Sequence, residues 1–575
     1  MFAALAGALP YFLAREGIED RIRSELSVLS GLPVSLKGNV SITIFPRFGA
    51  VAHDVEIGSF DAPASPAMRA KTLEVDLSRL AALKSQLKIA ALRIDEAEIR
   101  LVRDSSGGWL PASIASPLAP AILAEQSTAD ASAPSSSAPA KANWNIGSLR
   151  MTNSRVRLII GNEAEEISNA DLALAWPSTD APLAASGGGT WRGKPARFSA
   201  RLQNPIPMAA GNNSAVTLQA ESGAATLSFD GFANLQNFFF TNGDLKFETP
   251  SMGLLLGWIG AKVDPGASMG SMALSAKLTA KDDHLNFNDA LININGNPAA
   301  GAFELSPDGR IPALSGSLAF DRLDLASFLS AFTVGIAPGS TKPGVNFLQQ
   351  INLDLRLSAK VANAGPLPLT GIAAAIRVKD GFAEFDLGDA GFAGGRLQGD
   401  LKIKEAPGLP DGSLRLRFSD IAAETLFVTS GSPQIVAPLG GMVEAEGKYA
   451  AFVPFLLAAR GTLEAQTADG NMRNFSLADF RARLDNGALF NLPATYRGAE
   501  PLNASGLKAR IEDGVAIVTD SRLSFAGGDL TLTGALPILS HGLALSGQLV
   551  DTEGGAGRRF FIGGSASLPF VTPVK

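Results

Sequence analysis

Residues 352–361 read NLDLRLSAKV: Leu353, Leu355, Leu357, Ala359 and Val361 alternate with Asp354, Arg356, Ser358 and Lys360. A strict period of two is that of a β-strand, whose successive side chains leave opposite faces. One apolar and one charged face is the pattern of an antiparallel sheet packed on one side and wet on the other. The same alternation runs through Leu414, Leu416 and Phe418, through Met272, Leu274, Ala276 and Leu278, and through Leu530 and Leu532. Strongly apolar helical stretches are few: Leu254 to Ile259, Leu325 to Phe332 and Val453 to Leu457.

Around these strands a longer unit recurs. Asp380-Gly381 is followed fourteen residues on by Gly395 in FAGGRLQGDL, and Asp513-Gly514 at the same distance by Gly528 in FAGGDLTLTGAL. A looser copy runs from Asp282-Asp283 to Gly296-Asn297 and Gly301. Recurrence of a strand-turn-strand unit predicts an extended β architecture in which each unit buries its apolar side against its neighbours. The fold expected is mainly β: an elongated, curled antiparallel sheet with an apolar groove, N-terminal helices and a few short helices elsewhere. The residues expected to line the groove are Leu353, Leu355, Leu357, Leu414, Leu416, Phe418, Leu530 and Leu532. The same apolar faces would equally serve a closed core of sheet packed on sheet.

Composition narrows the chemistry. With 575 residues and 46% hydrophobic content the chain can bury a large core. The 60 glycines and 34 prolines follow no collagen period and punctuate turns. The absence of cysteine removes disulfides, thiolate metal sites and cysteine nucleophiles. Three histidines, at 53, 284 and 541, lie far apart without ligand spacing. A net charge of -6 offers no global attraction to phosphate backbones, so nucleic acid is not an expected partner. Gly266-Ala267-Ser268-Met269-Gly270 fits G-x-S-x-G, but Pro265 precedes it and an alternating strand follows, so it reads as a turn. Gly188 to Lys194 resembles a phosphate loop, except that Pro195 stands where a magnesium-binding hydroxyl belongs. No catalytic residue, metal ligand or cofactor is assigned, and the chain is not read as an enzyme.

The N-terminal run MFAALAGALPYFLA, residues 1–14, is apolar throughout. At about 1.5 Å per residue its helix reaches roughly 21 Å, short of a hydrocarbon core of roughly 30 Å. It reads as part of a transmembrane anchor carried by Phe2, Leu5, Leu9, Tyr11, Phe12 and Leu13, whose beginning lies upstream; the alternative is a buried N-terminal helix. Ile18, Ile22, Leu26 and Leu29 then mark an amphipathic helix stopped by Gly31 and Pro33. Residues 115–142, with the core SAPSSSAPAKA, are dominated by Ala, Ser and Pro and form a linker or exposed insertion.

Residues 30–111 contain SGLPVSLKGNVSITIFPRFGAVAHDVEIG and AKTLEVDLSRLAALKSQLKIAALRIDEAEIRLVRDSSGGW. Through these stretches they resemble the N-terminal region of the AsmA family of bacterial envelope proteins. It resumes after the linker in WNIGSLRMTNSRVRL. A second match comprises RGTLEAQTADGNMRNFSLADF, LKARIEDGVAIVTDSRLSFAGGDLTLTGAL and FIGGSASLPFVTPVK, with Met472-Arg473-Asn474 departing from the family's usual small residue. The division expected is an anchor at 1–14, an AsmA-like, chorein-type domain at 15–114, the linker at 115–142, a β-rich groove region at 143–435 and a C-terminal AsmA-like domain at 436–575.

The resemblance implies a protein held in the inner membrane by a single N-terminal helix, with most of the chain in the periplasm. It also implies kinship in fold with bridge-like lipid-transfer proteins, and a role in outer-membrane assembly and in lipopolysaccharide and phospholipid homeostasis. The expected partners are membrane lipids, the inner membrane and envelope proteins. Two functions stay open: binding and moving phospholipid or lipopolysaccharide-related lipids, or a non-transporting scaffold that aids targeting and insertion of outer-membrane proteins. A secreted β-solenoid adhesin is a third, opposed by the N-terminal helix pair and the irregular repeat length.

Overall fold

The protein is represented by a computed structural model, which describes residues 19–20, 22–24, 26–27, 32–43, 48–58, 66–77, 89–103, 109–110, 147–160, 163–234, 240–260, 270–281, 284–306, 311–325, 351–364, 367–426, 433–450, 452–492, 498–537, 542–554, 557–565 and 568–574. The chain forms two compact units, one of residues 1–250 and 273–288, the other of 251–272 and 289–575. The anchor residues Phe2, Leu5, Leu9, Tyr11, Phe12 and Leu13, the 115–142 segment and Asp282-Asp283 lie outside the described residues. Among the described residues no helix is long and apolar enough to cross a membrane.

In the first unit the short strands Val34–Leu36 and Val40–Thr43 both pair with Gly49–Ile57. From there each strand pairs with the next: Met68–Leu77, Ile89–Arg103, Ser148–Ile160, Glu163–Ala175, Leu183–Trp191, Lys194–Leu202, Ser214–Ser222, Thr226–Ala233 and Phe240–Thr249. All of these steps are antiparallel except that from Ile89–Arg103 to Ser148–Ile160, which is parallel. A parallel step needs a crossover of a dozen residues or more, and the chain between these strands is long enough to supply it. The strands on either side of the Ala/Ser/Pro-rich segment are therefore direct neighbours.

A line of left-handed residues crosses this sheet: Asp54, Glu96, Asn153 and Asn169, with φ between 48° and 52°, on successive or near-successive strands. At Asp54 and Glu96 the pairing skips one pair with its register kept, while beside Asn153 and Asn169 the register shifts, as in a β-bulge, which bends the strand and tightens its twist. Asn and Asp reach this region at low cost because their short side chains bond locally. Asn153 donates from its backbone N–H to Asp171 at 3.0 Å, and its amide donates to Asp95 at 3.1 Å. The shifts beside Asn153 and Asn169 bend an otherwise regular ladder.

The second unit repeats the plan. Asn297–Ser306, Ala313–Asp324, Asn352–Ala364, Leu367–Lys379, Phe382–Phe392, Gly395–Lys404, Asp411–Ala422, Pro438–Lys448, Arg460–Thr467, Ser505–Glu512, Val515–Phe525, Gly528–Pro537, Gly542–Asp551, Arg558–Ser565 and Leu568–Val574 pair in that order. One step, from Ala313–Asp324 to Asn352–Ala364, is parallel. The sheets are thus antiparallel with single parallel joins, rather than antiparallel throughout.

The recurring unit of the sequence is a hairpin. Asp380-Gly381 and Asp513-Gly514 both have positive φ at both residues, the type I′ geometry whose twist matches the flanking strands. An 11-residue strand follows each, Phe382–Phe392 or Val515–Phe525, then a two-residue turn, and Gly395 or Gly528 opens the next strand. The third copy shares the 11-residue strand His284–Ile294 and the Asn295-Gly296 turn. Gly188 to Lys194 is the end of a strand and its turn.

Candidate functional site

Strand registers show what the sheets have in common. In the first unit Ile42, Ala50, Val75, Leu92, Leu149 and Leu174 are successive Cα partners, and the row continues through Ala185, Ala200, Leu218, Phe229 and Leu245. A parallel row runs from Val40 through Ala52, Leu73, Ile94, Met151 and Leu172 to Gly187, Phe198, Ala220, Leu227 and Phe247. Neither row contains a polar side chain.

The second unit does the same. Gly301, Leu318, Leu357, Ala374, Leu387 and Gly399 are successive partners, then Leu416, Val443, Leu463, Ala509, Val518, Gly534, Leu545, Ile562 and Val571. At about 4.8 Å per strand this row is on the order of 70 Å long. Half of a roughly 30 Å bilayer core, the depth of one leaflet's chains, fits into it several times over.

The other face is charged. Asp386, Asp400, Arg415, Glu444, Thr462 and Arg510 are successive partners there. Arg415 meets Glu444 at 2.9 Å, Lys402 meets Asp400 at 3.3 Å and Lys508 meets Glu464 at 3.3 Å. Hydrogen bonding to Asp400 holds the Lys402 ammonium above its ordinary range. Exposed pairs of this kind contribute little to stability; their role is to keep this face in water and the apolar face turned from it.

Exposure along the apolar rows is uneven, and that unevenness locates the site. At the start of the first unit, helical residues Ile22 and Leu26 lie in one core cluster with Val55, Leu73, Val75 and Ile94. Ser27 Oγ accepts the Val34 N–H at 3.2 Å and joins that helix to the sheet. At the far end of the second unit, the helix Leu477–Asn486 buries Leu477, Phe480 and Leu484 in a cluster with Phe525, Leu545, Phe560 and Val571. Between such ends the rows are only half-buried. Leu387, Leu397, Leu416, Phe418, Val443 and Leu463 are so in the second unit, as are Leu202, Leu218, Leu227, Leu245 and Phe247 in the first, where Phe198 is 40% exposed.

Glycines keep these floors low. A Cβ on Gly441 would lie 2.5 Å from Phe418 Cζ, and one on Gly399 would lie 2.7 Å from Leu416 Cδ2. Leu416 and Phe418 therefore lie across neighbouring strands instead of standing up from them. The arrangement offers a shallow apolar channel floor without a fixed polar recognition point. Among the described residues no cluster of His, Asp or Glu is placed to hold a metal ion.

The family model for AsmA proteins matches residues 1–203. Those residues belong to the AsmA family. No curated protein and no solved structure gives a significant match to the chain. AsmA membership points to a role in the bacterial envelope. The AsmA-family region holds the covered start of the first unit's rows and extends into their half-buried part, at Phe198 and Leu202.

Of the residues singled out from sequence, Leu416 and Phe418 lie in the half-buried stretch. Leu353, Leu355, Leu357 and Leu414 share that face but are buried. Leu530 belongs to the cluster under the C-terminal helix, and Leu532 packs against it. Sequence reading missed that helix. Its signals are Ser476 as N-cap, accepting the Asp479 N–H at 3.3 Å, the spacing of Leu477, Phe480 and Leu484, and left-handed Gly487 at its end. It missed Val443, Leu463 and Phe198 too: Gly441 and Gly461 stand two residues before Val443 and Leu463 on the same face, and Phe198 has only Ala196 and Ala200 as its nearest neighbours there.

Proposed function

We propose that this protein binds membrane lipids along its apolar strand faces and moves them in envelope biogenesis, without catalysing a reaction. The observation that carries the reading is the unbroken apolar row, traced strand by strand and half-buried in its middle. Each buried methylene contributes about 0.8 kcal/mol, so two acyl chains can be held without a specific polar contact. A uniform floor has no deep local well, so cargo can shift along it when lipid supply differs between the ends. AsmA membership supports the envelope setting, with an inner-membrane anchor, a periplasmic body and phospholipid or lipopolysaccharide-related cargo as the proposed particulars.

The test is mass spectrometry of lipids retained by the protein purified in mild detergent, with Leu416→Asp/Phe418→Asp as the probe and Arg415→Ala/Arg417→Ala on the charged face as control. Leu355 and Leu357, at 7% and 5% exposure, would test folding rather than cargo. Stoichiometric lipid in the wild type and control, lost in the folded probe variant, supports transport. Equal trace lipid in all three rejects it and favours a scaffold acting through protein contacts.

A further inference from the structure

Among the described residues the Tyr449 hydroxyl is a buried polar group on the apolar side that has no hydrogen-bond partner. Tyr449 continues the alternation of Ala445 and Gly447 on the strand Pro438–Lys448, so its ring falls on the apolar side at the margin of the second unit's sheet. Its backbone N–H is satisfied, donating to Pro410 O at 2.8 Å. The side chain is 0% exposed, yet its hydroxyl has no hydrogen-bond partner among the described residues. Burial pushes the hydroxyl's pKa up to about 12, so it stays protonated and able to donate at any physiological pH.

Leaving a buried hydroxyl unpaired is unfavourable, and phenylalanine would fill the same space without that penalty. The cover over it is slight. The helix Phe452–Ala458 packs on Tyr449 through Phe455, ring centroids 5.8 Å apart, and Phe455 is its one buried residue. Val453 and Leu457 on the same helix are 53% and 41% exposed, and the helix has no charged residue. Gly412 leaves the space both rings occupy: a Cβ there would lie 3.0 Å from the Phe455 ring and 3.2 Å from Tyr449 Cβ.

We propose that the Tyr449 hydroxyl is a hydrogen-bond donor to an oxygen of a bound acyl lipid, an ester carbonyl or a phosphate oxygen at the head of its chains, reached when the helix Phe452–Ala458 lifts. The inference rests on the lipid-binding reading above and adds a fixed polar station to an otherwise uniform floor. Chains lying on Leu416 and Val443 would leave the head at the margin, where Tyr449 stands two residues beyond Gly447. The apolar outer side of the helix suits a cover that spends part of its time against hydrocarbon.

The experiment compares wild type with Tyr449→Phe in two measurements: thermal unfolding of lipid-free protein, and retention of phospholipid from vesicles of phosphatidylethanolamine and phosphatidylglycerol, in ester-linked and ether-linked forms. The expected result is unfolding at an equal or higher temperature together with about three- to ten-fold weaker retention, the loss of one hydrogen bond. A deficit confined to ester lipids names the carbonyl; a deficit with both names the phosphate. Unchanged retention in Tyr449→Phe, while wild type holds lipid and Leu416→Asp/Phe418→Asp does not, overturns this inference alone. A lower unfolding temperature overturns it too, because the hydroxyl would then be satisfied without lipid. If wild type retains no lipid, the lipid-binding reading falls and this inference falls with it.

Discussion

Truncating Phe480 to alanine should release the C-terminal helix from the end of the apolar row. Phe480 is 1% exposed and meets Phe560 and Phe490 edge-on, at 5.2 and 5.8 Å between centroids, and Phe475 at 5.5 Å. Phe→Ala in a packed core costs about 3–5 kcal/mol, and the loss of several aromatic contacts places this site near 4. The helix Leu477–Asn486 has 10 residues, too few to be stable alone in water, so its place on the sheet depends on that packing. A loss of about 4 kcal/mol corresponds to roughly a thousand-fold more frequent opening. Native-state hydrogen exchange reads this directly at the Phe480 amide, which donates to Ser476 O at 3.0 Å. Its protection should collapse while amides of the strand Asn352–Ala364 keep theirs. Protection within ten-fold of wild type would refute the argument that aromatic packing, rather than local helix propensity, holds this cover down.

Three further outcomes follow from the same geometry. Hydrogen bonding to Arg558, with the charges of Arg481 and Arg558 beside it, holds Asp551 below its ordinary 3.8, and Arg481 meets it from the helix at 2.7 Å. A depressed carboxylate stabilises above its unfolded pKa and loses that contribution as pH falls through its folded one. Protection at the helix, with the pH dependence of intrinsic exchange divided out, should therefore be constant down to about pH 4 and fall below it, and Asp551→Asn should remove that acid-dependent step. Gly441→Ala should destabilise by about 1–3 kcal/mol, seen in urea titration, because the new Cβ would meet Glu464 O at 2.2 Å as well as the Phe418 ring. Pro573 lies on the strand Leu568–Val574 past Phe570 and Val571, the residues that pair with Phe490–Asn491, and as proline it brings no donor to that side. Pro573→Val should restore a donor at an edge able to pair with a second chain, raising the dimer fraction in gel filtration above that of wild type.

The strand faces were legible because period two survives in NLDLRLSAKV, and the hairpin unit because Asp-Gly demands a type I′ turn wherever it joins two strands. The helices at 252–259 and 452–458 were legible for their undiluted apolar runs. What escaped depends on partners distant in sequence. Leu414 and Leu416 are two residues apart and chemically identical, yet one is buried and the other half-buried, because Leu416 lies over Gly399 while Leu414 opposes Leu401. Leu530 carries the same pattern and is covered by a helix some fifty residues earlier in the chain. The parallel joins follow from crossover segments whose composition says nothing of which strands they connect. Alternation announces a face; register and cover decide whether that face is floor or core.

The central claim is that lipid occupies one face of the second unit's sheet. Photo-crosslinking in living cells tests it most directly, with a photoreactive residue placed singly at Leu414, Arg415, Leu416, Arg417 and Phe418. Lipid adducts at Leu416 and Phe418, with none at Arg415 and Arg417, are the result expected of a half-buried apolar floor backed by a charged face. Adducts at none of the five positions, or equally at all of them, would contradict it.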